Sequence, residues 1–410
     1  MVITHRKEYA IWPAERSGEL LDRRCPPPHK GPEPGLIPMS SAPRVLILNE
    51  RDPCNPKAGG AEIHVSEIFR RLVARGFEVT LATSRFPGAA PRDEVDGMRV
   101  WRLGGLPTYY LRAAWTCARE TRRGRFDVVV ECLNKLPFYA PMYSAAPVLA
   151  LCHHLFGEAA FLQVSWPIAA TVWAAEKWIP RLYRETPFLT ISESSREDLV
   201  ERGIAPHRIR VSHCGIRRPE TAPADLAGRV HRVAYLGRLE RYKKIDVLLR
   251  ATARLVDRFP NIEVVVIGRG TDRARLERVA EEVGVAERTR FVGFVDDTER
   301  DRWLGSSRVC VCPSAKEGWG LTVIEANALG TPVVATDAPG LRDAVRDGKT
   351  GFLVAEDNVE GFADRIGSLL AEDDLARTMA TAALEWSRGF DWDRAADEMA
   401  ESLSAARHAP

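Results

Sequence analysis

A repeated alternation of short apolar runs and amphipathic segments constrains the fold of this chain more than any other feature. The first apolar run occupies residues 44–49, an amphipathic segment follows over 61–75, and a second apolar run begins at 78. Short uninterrupted apolar runs are typical of strands buried on both faces of a parallel sheet. The alternation therefore predicts strand–helix–strand units and a doubly wound α/β domain.

The same pattern starts afresh after a stretch with linker composition at 217–230. In the first half, further strands are predicted at 128–131, 148–151, 188–191 and 209–212. In the second half, strands are predicted at 232–236, 263–267, 289–292, 309–312 and 332–335, and the last of these completes the predicted sheet. Helices are predicted at 246–259 and 272–284. We predict two Rossmann-like domains, 44–216 and 231–385, facing a ligand cleft at the carboxyl ends of their strands.

Charge and composition narrow the function classes. The chain has 410 residues with 58 basic and 56 acidic side chains, so its formal net charge of +2 gives no global reason to expect nucleic-acid binding. The eight cysteines and the histidines show no repeated metal-ligand spacing, and no metal site is predicted. Residues 1–43 include a Pro-rich stretch but no apolar signal core, so we expect a disordered extension and a cytoplasmic protein. Met39 has the pattern of a natural start, and the sequence leaves open whether residues 1–38 belong to the native product.

The strongest chemical signal lies between the predicted strands 309–312 and 332–335. The strand ends at Pro313, a loop with Gly318 and Gly320 follows, and a helix is predicted to begin near Leu321. Glycines allow close approach of the backbone to a ligand, and a helix start offers amide groups to an anion. Glu317 precedes the helix and Glu325 lies about one turn inside it, so the two carboxylates can reach hydroxyls on either side of a diphosphate. A plain strand-to-helix connection is the alternative.

Two further loops carry compatible chemistry. Arg238 and Lys243 follow the strand 232–236, where they can neutralise a diphosphate without a metal ion; a solvated basic loop is the alternative. Gly59 and Gly60 precede the first helix, where a phosphate or a sugar ring can rest against backbone, although a tight turn explains them equally well. A G-x-G-x-x-G signature is absent from this turn, which argues against a nicotinamide-dependent dehydrogenase.

These three motifs, in this order, resemble those of family 4 glycosyltransferases with the GT-B fold. Glu317 and Glu325 match the family's E-x7-E motif, which is flanked here by Gly-Trp-Gly-Leu and Ala-Asn-Ala-Leu-Gly-Thr-Pro-Val-Val. Gly59-Gly60-Ala61-Glu62 matches its N-terminal signature, and the likeness runs from about residue 44 to the end. The resemblance implies a retaining glycosyltransferase, a hexosyltransferase that takes its sugar from a nucleotide diphosphate and needs no metal or other cofactor. A UDP-sugar is favoured over a GDP-sugar.

The resemblance also implies roles for individual residues. Glu317 would contact the donor sugar and Glu325 the ribose, while Arg238 and Lys243 would stabilise the diphosphate as charge develops. His153 would reach the donor sugar, with His154 as its competitor. The remaining donor contacts would come from Gly59, Gly60, Gly268, Phe294, Val295, Gly318, Trp319, Gly320, Leu321 and Thr322. The leaving diphosphate would deprotonate the acceptor in a front-face displacement. Residues 386–410 would form a helix crossing back to the N-terminal domain.

Some features depart from the family pattern or stay open. His213-Cys-Gly-Ile216 stands where the family often has Asn-Gly-Val-Asp, and Trp319 replaces a commoner Phe.

The acceptor is expected to bind on the N-terminal domain, and it is a glycan, a lipid-linked glycan or a small metabolite. An amphipathic helix rich in Trp and basic residues is predicted within 161–184, either resting on the inner face of a membrane or packed on its own sheet. A non-catalytic module that binds sugar nucleotides or glycans is the alternative function.

Overall fold

The computed structural model describes residues 43–157, 160–163, 165–220 and 225–408. All but the last residue of the extension predicted at 1–43 therefore lies outside the described residues. Two separate β-sheets organise the rest, one formed by strands before Ser212 and the other by strands after His231.

The first sheet has eight strands in the order β3-β4-β2-β1-β5-β6-β7-β8, and β3 alone among them runs antiparallel to its neighbour. Its strands are β1 (Arg44–Leu48), β2 (Glu78–Thr83), β3 (Arg92–Val95), β4 (Met98–Arg102), β5 (Val128–Leu133), β6 (Val148–Cys152), β7 (Phe188–Thr190) and β8 (Ile209–Val211). The helices of this half are α1 (Gly60–Ala74), α2 (Leu106–Arg122), α3 (Ala160–Gln163), α4 (Trp166–Glu176), α5 (Ile179–Leu182) and α6 (Glu193–Glu201).

The second sheet has six parallel strands in the order β11-β10-β9-β12-β13-β14. They are β9 (Arg232–Leu236), β10 (Glu263–Ile267), β11 (Thr289–Gly293), β12 (Val309–Cys312), β13 (Val333–Thr336) and β14 (Gly351–Val354). The helices are α7 (Ile245–Ala253), α8 (Arg273–Glu282), α9 (Asp297–Gly305), α10 (Leu321–Asn327), α11 (Leu341–Ala344), α12 (Val359–Ala371), α13 (Asp373–Ser387) and α14 (Trp392–His408). The two parallel-rich, doubly wound sheets confirm the predicted α/β fold class.

Strand order locates the ligand side of each sheet. The order reverses between β1 and β5 in the first sheet and between β9 and β12 in the second. Doubly wound sheets bind ligands beyond the carboxyl ends of the strands at such a reversal. The loops that follow β1, β9 and β12 carry the three motifs singled out in the sequence.

Several elements differ from the sequence predictions. The β3–β4 hairpin was not predicted, because only one face of it is buried and its edge strand is polar. Strand β13 does not complete the second sheet, since β14 adds a sixth strand beyond it. The stretch predicted as one Trp-rich helix is divided into α3, α4 and α5, and Pro167 and Pro180 lie in the first turns of α4 and α5. A proline lacks the amide that would continue the preceding helix, so it is tolerated only at a helix start.

The last helix, α14, follows the second sheet in the chain but packs on the first. It contacts α1, β5 and β6, and buries Met399 and Leu403 there. Two ion pairs flank this apolar seam, Arg71–Asp393 at 2.9 Å and Arg75–Asp397 at 2.6 Å. Within the described residues, no helix is both long enough and apolar enough to cross a bilayer.

Candidate active site

The loop between β12 and α10 is held in place by its own domain. The amide of Ala315 donates to the carbonyl of Tyr242 at 3.0 Å, and the amide of Glu317 donates to the carbonyl of Pro339 at 3.2 Å. Gly340 has a φ of +78°, and a Cβ there would lie 2.5 Å from the Glu317 carbonyl oxygen. A side chain at Gly340 would therefore displace the segment that carries Glu317. We call residues 313–320 the donor loop.

Lys243 and Glu317 form an ion pair across the two central strands. Lys243 ends a short helical turn after β9, and its Nζ donates to Oε1 of Glu317. Burial lowers the pKa of Lys243, but the Glu317 carboxylate outweighs burial and the net pKa is raised. Arg238 is exposed nearby and donates from Nη2 to the Tyr242 hydroxyl at 2.9 Å. The structure thus brings both predicted cations and the first carboxylate together.

The second carboxylate, Glu325, faces a different cation. Its Oε1 lies 3.1 Å from Nη1 of Arg300, which projects from α9. Burial raises the pKa of Glu325, and Arg300 opposes that shift. Arg300 also pairs with Asp297 and Asp301, at 2.9 and 2.7 Å. Sequence analysis did not identify Arg300, because nothing in its local pattern connects it to a helix 25 residues away.

The end of the donor loop touches the first domain. A Cβ at Gly318 would lie 2.8 Å from the His153 carbonyl oxygen, so only glycine fits this approach. Trp319 is buried and stacks on His213 with ring centroids 4.5 Å apart. His213, which departs from the family pattern, therefore serves as part of the contact between domains. Gly320 precedes α10, and Leu321 and Thr322 form its first turn, where both are partly exposed.

The loop after β10 packs against the turn that follows β9, and the loop after β11 lies on its other side. A Cβ at Gly268 would lie 1.9 Å from the Gly237 carbonyl oxygen, which places this turn against the residue preceding Arg238. Phe294 is 60% exposed, and the guanidinium of Arg269 lies 5.9 Å from its ring centroid. Val295 is partly buried and packs against the core. An exposed aromatic ring at the edge of the cleft offers a flat apolar surface of the kind a nucleobase can use.

The two histidines after β6 have different environments. His153 is 2% exposed, and its Nε2 lies 3.1 Å from Nδ1 of His64, on α1. Burial and the neighbouring His64 hold the pKa of His153 well below its usual value, and burial lowers that of His64 to about 4. Nδ1 of His153 has no hydrogen-bond partner among the described residues. Buried polar atoms are normally paired, so this nitrogen is a suitable contact for a ligand hydroxyl.

His154 is partly exposed and lies near the cations of the donor loop. A Cβ at Gly318 would lie 3.2 Å from its Nδ1. Burial lowers the pKa of His154 to about 3, and the charges of Lys316 and Lys243 add to that shift. Burial therefore favours the neutral form of both histidines, and both lie next to Gly318 of the donor loop.

The loop after β1 presents Gly59 and Gly60 at the start of α1. The Gly59 amide donates to Oε2 of Glu62 at 2.7 Å, and a Cβ at Gly60 would meet nothing within 4 Å. Two residues that sequence analysis missed lie close by, Glu50 after β1 and Lys135 after β5. Lys135 Nζ lies 3.0 Å from Oε1 of Glu50 and 3.7 Å from Oε1 of Glu62. Only the strand reversal brings these loops together, so no local motif marks them.

Comparison with known proteins gives the family. A model described as "Glycosyltransferase Family 4" matches residues 58–218, and one described as "Glycosyl transferases group 1" matches residues 222–386. A D-inositol 3-phosphate glycosyltransferase from Streptomyces scabiei is 30% identical over 396 residues, covering 86% of this chain and 87% of the relative. This chain belongs to glycosyltransferase family 4. A glycogen synthase from Mycobacterium tuberculosis is similar too, at 29% identity over 388 residues, or 85% and 92% of the two chains.

Solved structures resemble the fold of this glycosyltransferase. A sucrose-phosphate synthase from Thermosynechococcus elongatus matches with a TM-score of 0.72 and 22% identity, over 88% of this chain and 98% of that one. HepE of Anabaena, solved with UDP and glucose, matches with a TM-score of 0.70 and 18% identity, over 88% and 99%. Family, GT-B fold and enzyme class are thereby confirmed. Among the described residues, no three His, Cys, Asp or Glu side chains lie together as metal ligands.

Proposed function

We propose that this glycosyltransferase transfers a hexosyl group from a UDP-sugar to an acceptor hydroxyl, with retention of anomeric configuration and without a metal ion. The carrying observation is the placement of four charged side chains on the segments that follow β9 and β12, the two strands at the reversal. Arg238 and Lys243 follow β9, and Glu317 and Glu325 follow β12. Arg238 and the Lys243–Glu317 pair suit a diphosphate and its sugar, while Glu325, paired with Arg300, suits the hydroxyls of a second ring.

On this proposal each side chain has one task. Glu325 accepts hydrogen bonds from the ribose hydroxyls, and Glu317 accepts them from the sugar. Arg238 and Lys243 stabilise the diphosphate, and Lys243 exchanges part of its contact with Glu317 for a phosphate oxygen. Nδ1 of His153 meets a sugar hydroxyl from the other domain, with the ring held by His64. The nucleobase lies by Gly268, Phe294 and Val295, and the backbone at 318–322 contacts the phosphates beside Gly59 and Gly60.

The reaction on this proposal is a front-face displacement. The bond between the anomeric carbon and the diphosphate oxygen breaks, and the acceptor oxygen bonds to the same face of the sugar. The leaving diphosphate takes the acceptor's proton, so no carboxylate base is required on the acceptor side. Arg238 and Lys243 favour the step because they face the oxygen on which negative charge develops. The acceptor is a glycan, a lipid-linked glycan or a small metabolite bound against the N-terminal domain.

A matched panel of UDP-, GDP- and ADP-sugars, each assayed with and without EDTA, tests the donor assignment. We expect turnover with a UDP-sugar that EDTA leaves unchanged. Preference for a GDP- or ADP-sugar would contradict the nucleobase assignment. Loss of activity in EDTA and recovery with Mg²⁺ or Mn²⁺ would contradict the metal-independent route. Binding of UDP without turnover of any donor would favour the binding-module alternative.

An apolar surface on α4 and α5 supports peripheral contact with the inner face of a membrane. Trp166, Ile168 and Trp178 are 72%, 56% and 52% exposed. Basic side chains flank them, and Lys177 Nζ lies 3.2 Å from the Trp173 ring centroid. Exposed Trp beside Lys and Arg suits the boundary between lipid headgroups and acyl chains. This surface belongs to the domain proposed to bind the acceptor, which favours a lipid-linked acceptor.

A further inference from the structure

Lys316 and Glu317 are neighbours in the donor loop, yet their side chains engage different domains. Glu317 pairs with Lys243 of its own domain. Lys316 reaches the opposite way, and its Nζ donates to the carbonyls of Leu155 at 2.6 Å and Phe156 at 3.5 Å. The proposed function gives Glu317 a task and leaves Lys316 without one.

The segment that accepts Lys316 is the one that carries His153 and His154. Its amide groups are held from behind by Glu176, whose carboxylate accepts from Phe156 and Gly157, both at 2.7 Å. Its carbonyl groups are held by Lys316 from the other domain, and the Ser195 hydroxyl donates to the His153 carbonyl at 3.2 Å. The amides of this short turn are therefore held by its own domain, and its carbonyls are held from both domains.

The charge of Lys316 suits this position. Burial lowers its pKa, while the Asp198 and Glu176 carboxylates behind the turn raise it, leaving a net lowering. An ammonium group donating to carbonyls makes stronger hydrogen bonds than a neutral donor does. Its two acceptors are adjacent peptide carbonyls, so the contact fixes the direction of the turn as well as its distance from the donor loop.

We propose that Lys316 is a positioning residue that sets the register between the two halves of the active site. By anchoring the donor loop on the 153–156 turn, it places Glu317 and His153 on opposite sides of one donor sugar. Lys316 touches neither substrate. This inference rests on the proposed function, because it assumes that Glu317 and His153 act on the same sugar.

A register role predicts a particular pattern of kinetic effects. The nucleotide contacts at Glu325, Arg238 and Lys243 lie within one domain, so UDP affinity does not depend on Lys316. Breaking the bond to the sugar requires Glu317 and His153 to be correctly placed relative to each other, so turnover does depend on Lys316. We expect Lys316→Met to lower kcat about 30-fold, the effect of losing one charge-assisted hydrogen bond in the reacting complex. The dissociation constant for UDP should change less than about twofold.

Conservative variants separate register from simple loss of folding. Lys316→Arg keeps a cation that can reach both carbonyls and should recover most of kcat. Lys316→Gln keeps one neutral donor and should fall between the Arg and Met variants. Lys349→Met is the matched control, since Lys349 is an exposed lysine in the same domain, at the turn before β14. The control should keep both kcat and UDP affinity.

The outcomes distinguish this inference from the proposed function. Wild-type kcat in Lys316→Met, or a loss of UDP affinity equal to the loss of kcat, would overturn the register role. Failure of the Arg variant to exceed the Met variant would do the same. Absence of transfer by the wild-type enzyme with every donor would instead reject the proposed function.

Discussion

The two carboxylates of the proposed donor site differ in the cation that each one faces. Glu317 pairs with Lys243, one of the two cations proposed to stabilise the diphosphate. Glu325 faces Arg300, which is itself shared with Asp297 and Asp301. Arg300 opposes the effect of burial on the Glu325 pKa, and so favours the ionised form that the proposed ribose contact requires.

The substitution Glu325→Gln tests the proposed contact between Glu325 and the ribose hydroxyls. The amide has one acceptor oxygen where the carboxylate has two, and it carries no charge. We expect the dissociation constant for UDP to rise about 10- to 100-fold, the effect of losing a charged hydrogen bond. Isothermal titration calorimetry measures it, with Glu385→Gln on α13 as an exposed control. Unchanged UDP affinity in Glu325→Gln would remove Glu325 from the nucleotide site.

The buried histidines predict how stability depends on pH. Burial lowers the pKa of His64 to about 4 and holds the pKa of His153 well below the ordinary histidine value of about 6.5. The unfolded chain therefore binds protons that the folded chain does not, and the free energy of unfolding falls as pH drops from about 6.5 toward 4. Each such group adds up to about 1.4 kcal/mol per pH unit to the slope.

Urea unfolding of His64→Gln at pH 7, 6 and 5 measures that contribution. The variant should lose less stability than the wild type over this range, because one buried site no longer resists protonation. His207→Gln, an exposed histidine on the first domain, should keep the wild-type slope. Parallel pH profiles for His64→Gln and the wild type would contradict a neutral buried His64.

At the scale of elements, sequence pattern predicts those segments whose burial is uniform. Strands β1, β5 and β12 are fully or almost fully buried, and their uninterrupted apolar runs identified them. The β3–β4 hairpin mixes exposed and buried positions, so its runs are broken. The Trp-rich stretch is predicted as one amphipathic helix, but Pro167 and Pro180 lie in the first turns of two separate helices. The periodicity of apolar residues indicates which positions are buried, whereas the position of a proline indicates where a helix begins.

The exposed face of α4 and α5 gives a prediction about membrane contact. We expect the wild-type protein to bind vesicles that contain anionic lipid, and to bind more weakly as salt screens its basic side chains. The double variant Trp166→Ser and Trp178→Ser should bind at least about tenfold more weakly in a sedimentation assay. Val230→Ser removes an apolar side chain that is 50% exposed elsewhere and serves as the control. Equal binding by the double variant would place the contact on another surface.

At the scale of the whole molecule, the proposed site is completed by contacts that cross between domains. Lys316 reaches the 153–156 turn, Trp319 stacks on His213, and the Ser194 amide donates to Asp343 at 3.0 Å. Sequence motifs identified the loops on each side, because glycines and charged residues at strand ends are local signals. They did not identify these partners, since each contact joins residues more than 100 positions apart. The domain boundaries drawn from the sequence stay predictions.

The anomeric configuration of the product tests the central claim most directly. The sugar of a UDP-α-hexose should appear in the product with α configuration, because the acceptor attacks the face that the diphosphate leaves. Proton NMR of the initial product reads this from the coupling constant of the anomeric proton, before any mutarotation. An α-linked product is the result that the proposed front-face displacement predicts. A β-linked product would require attack from the opposite face and a separate base, and would contradict the roles given to Arg238, Lys243 and the diphosphate.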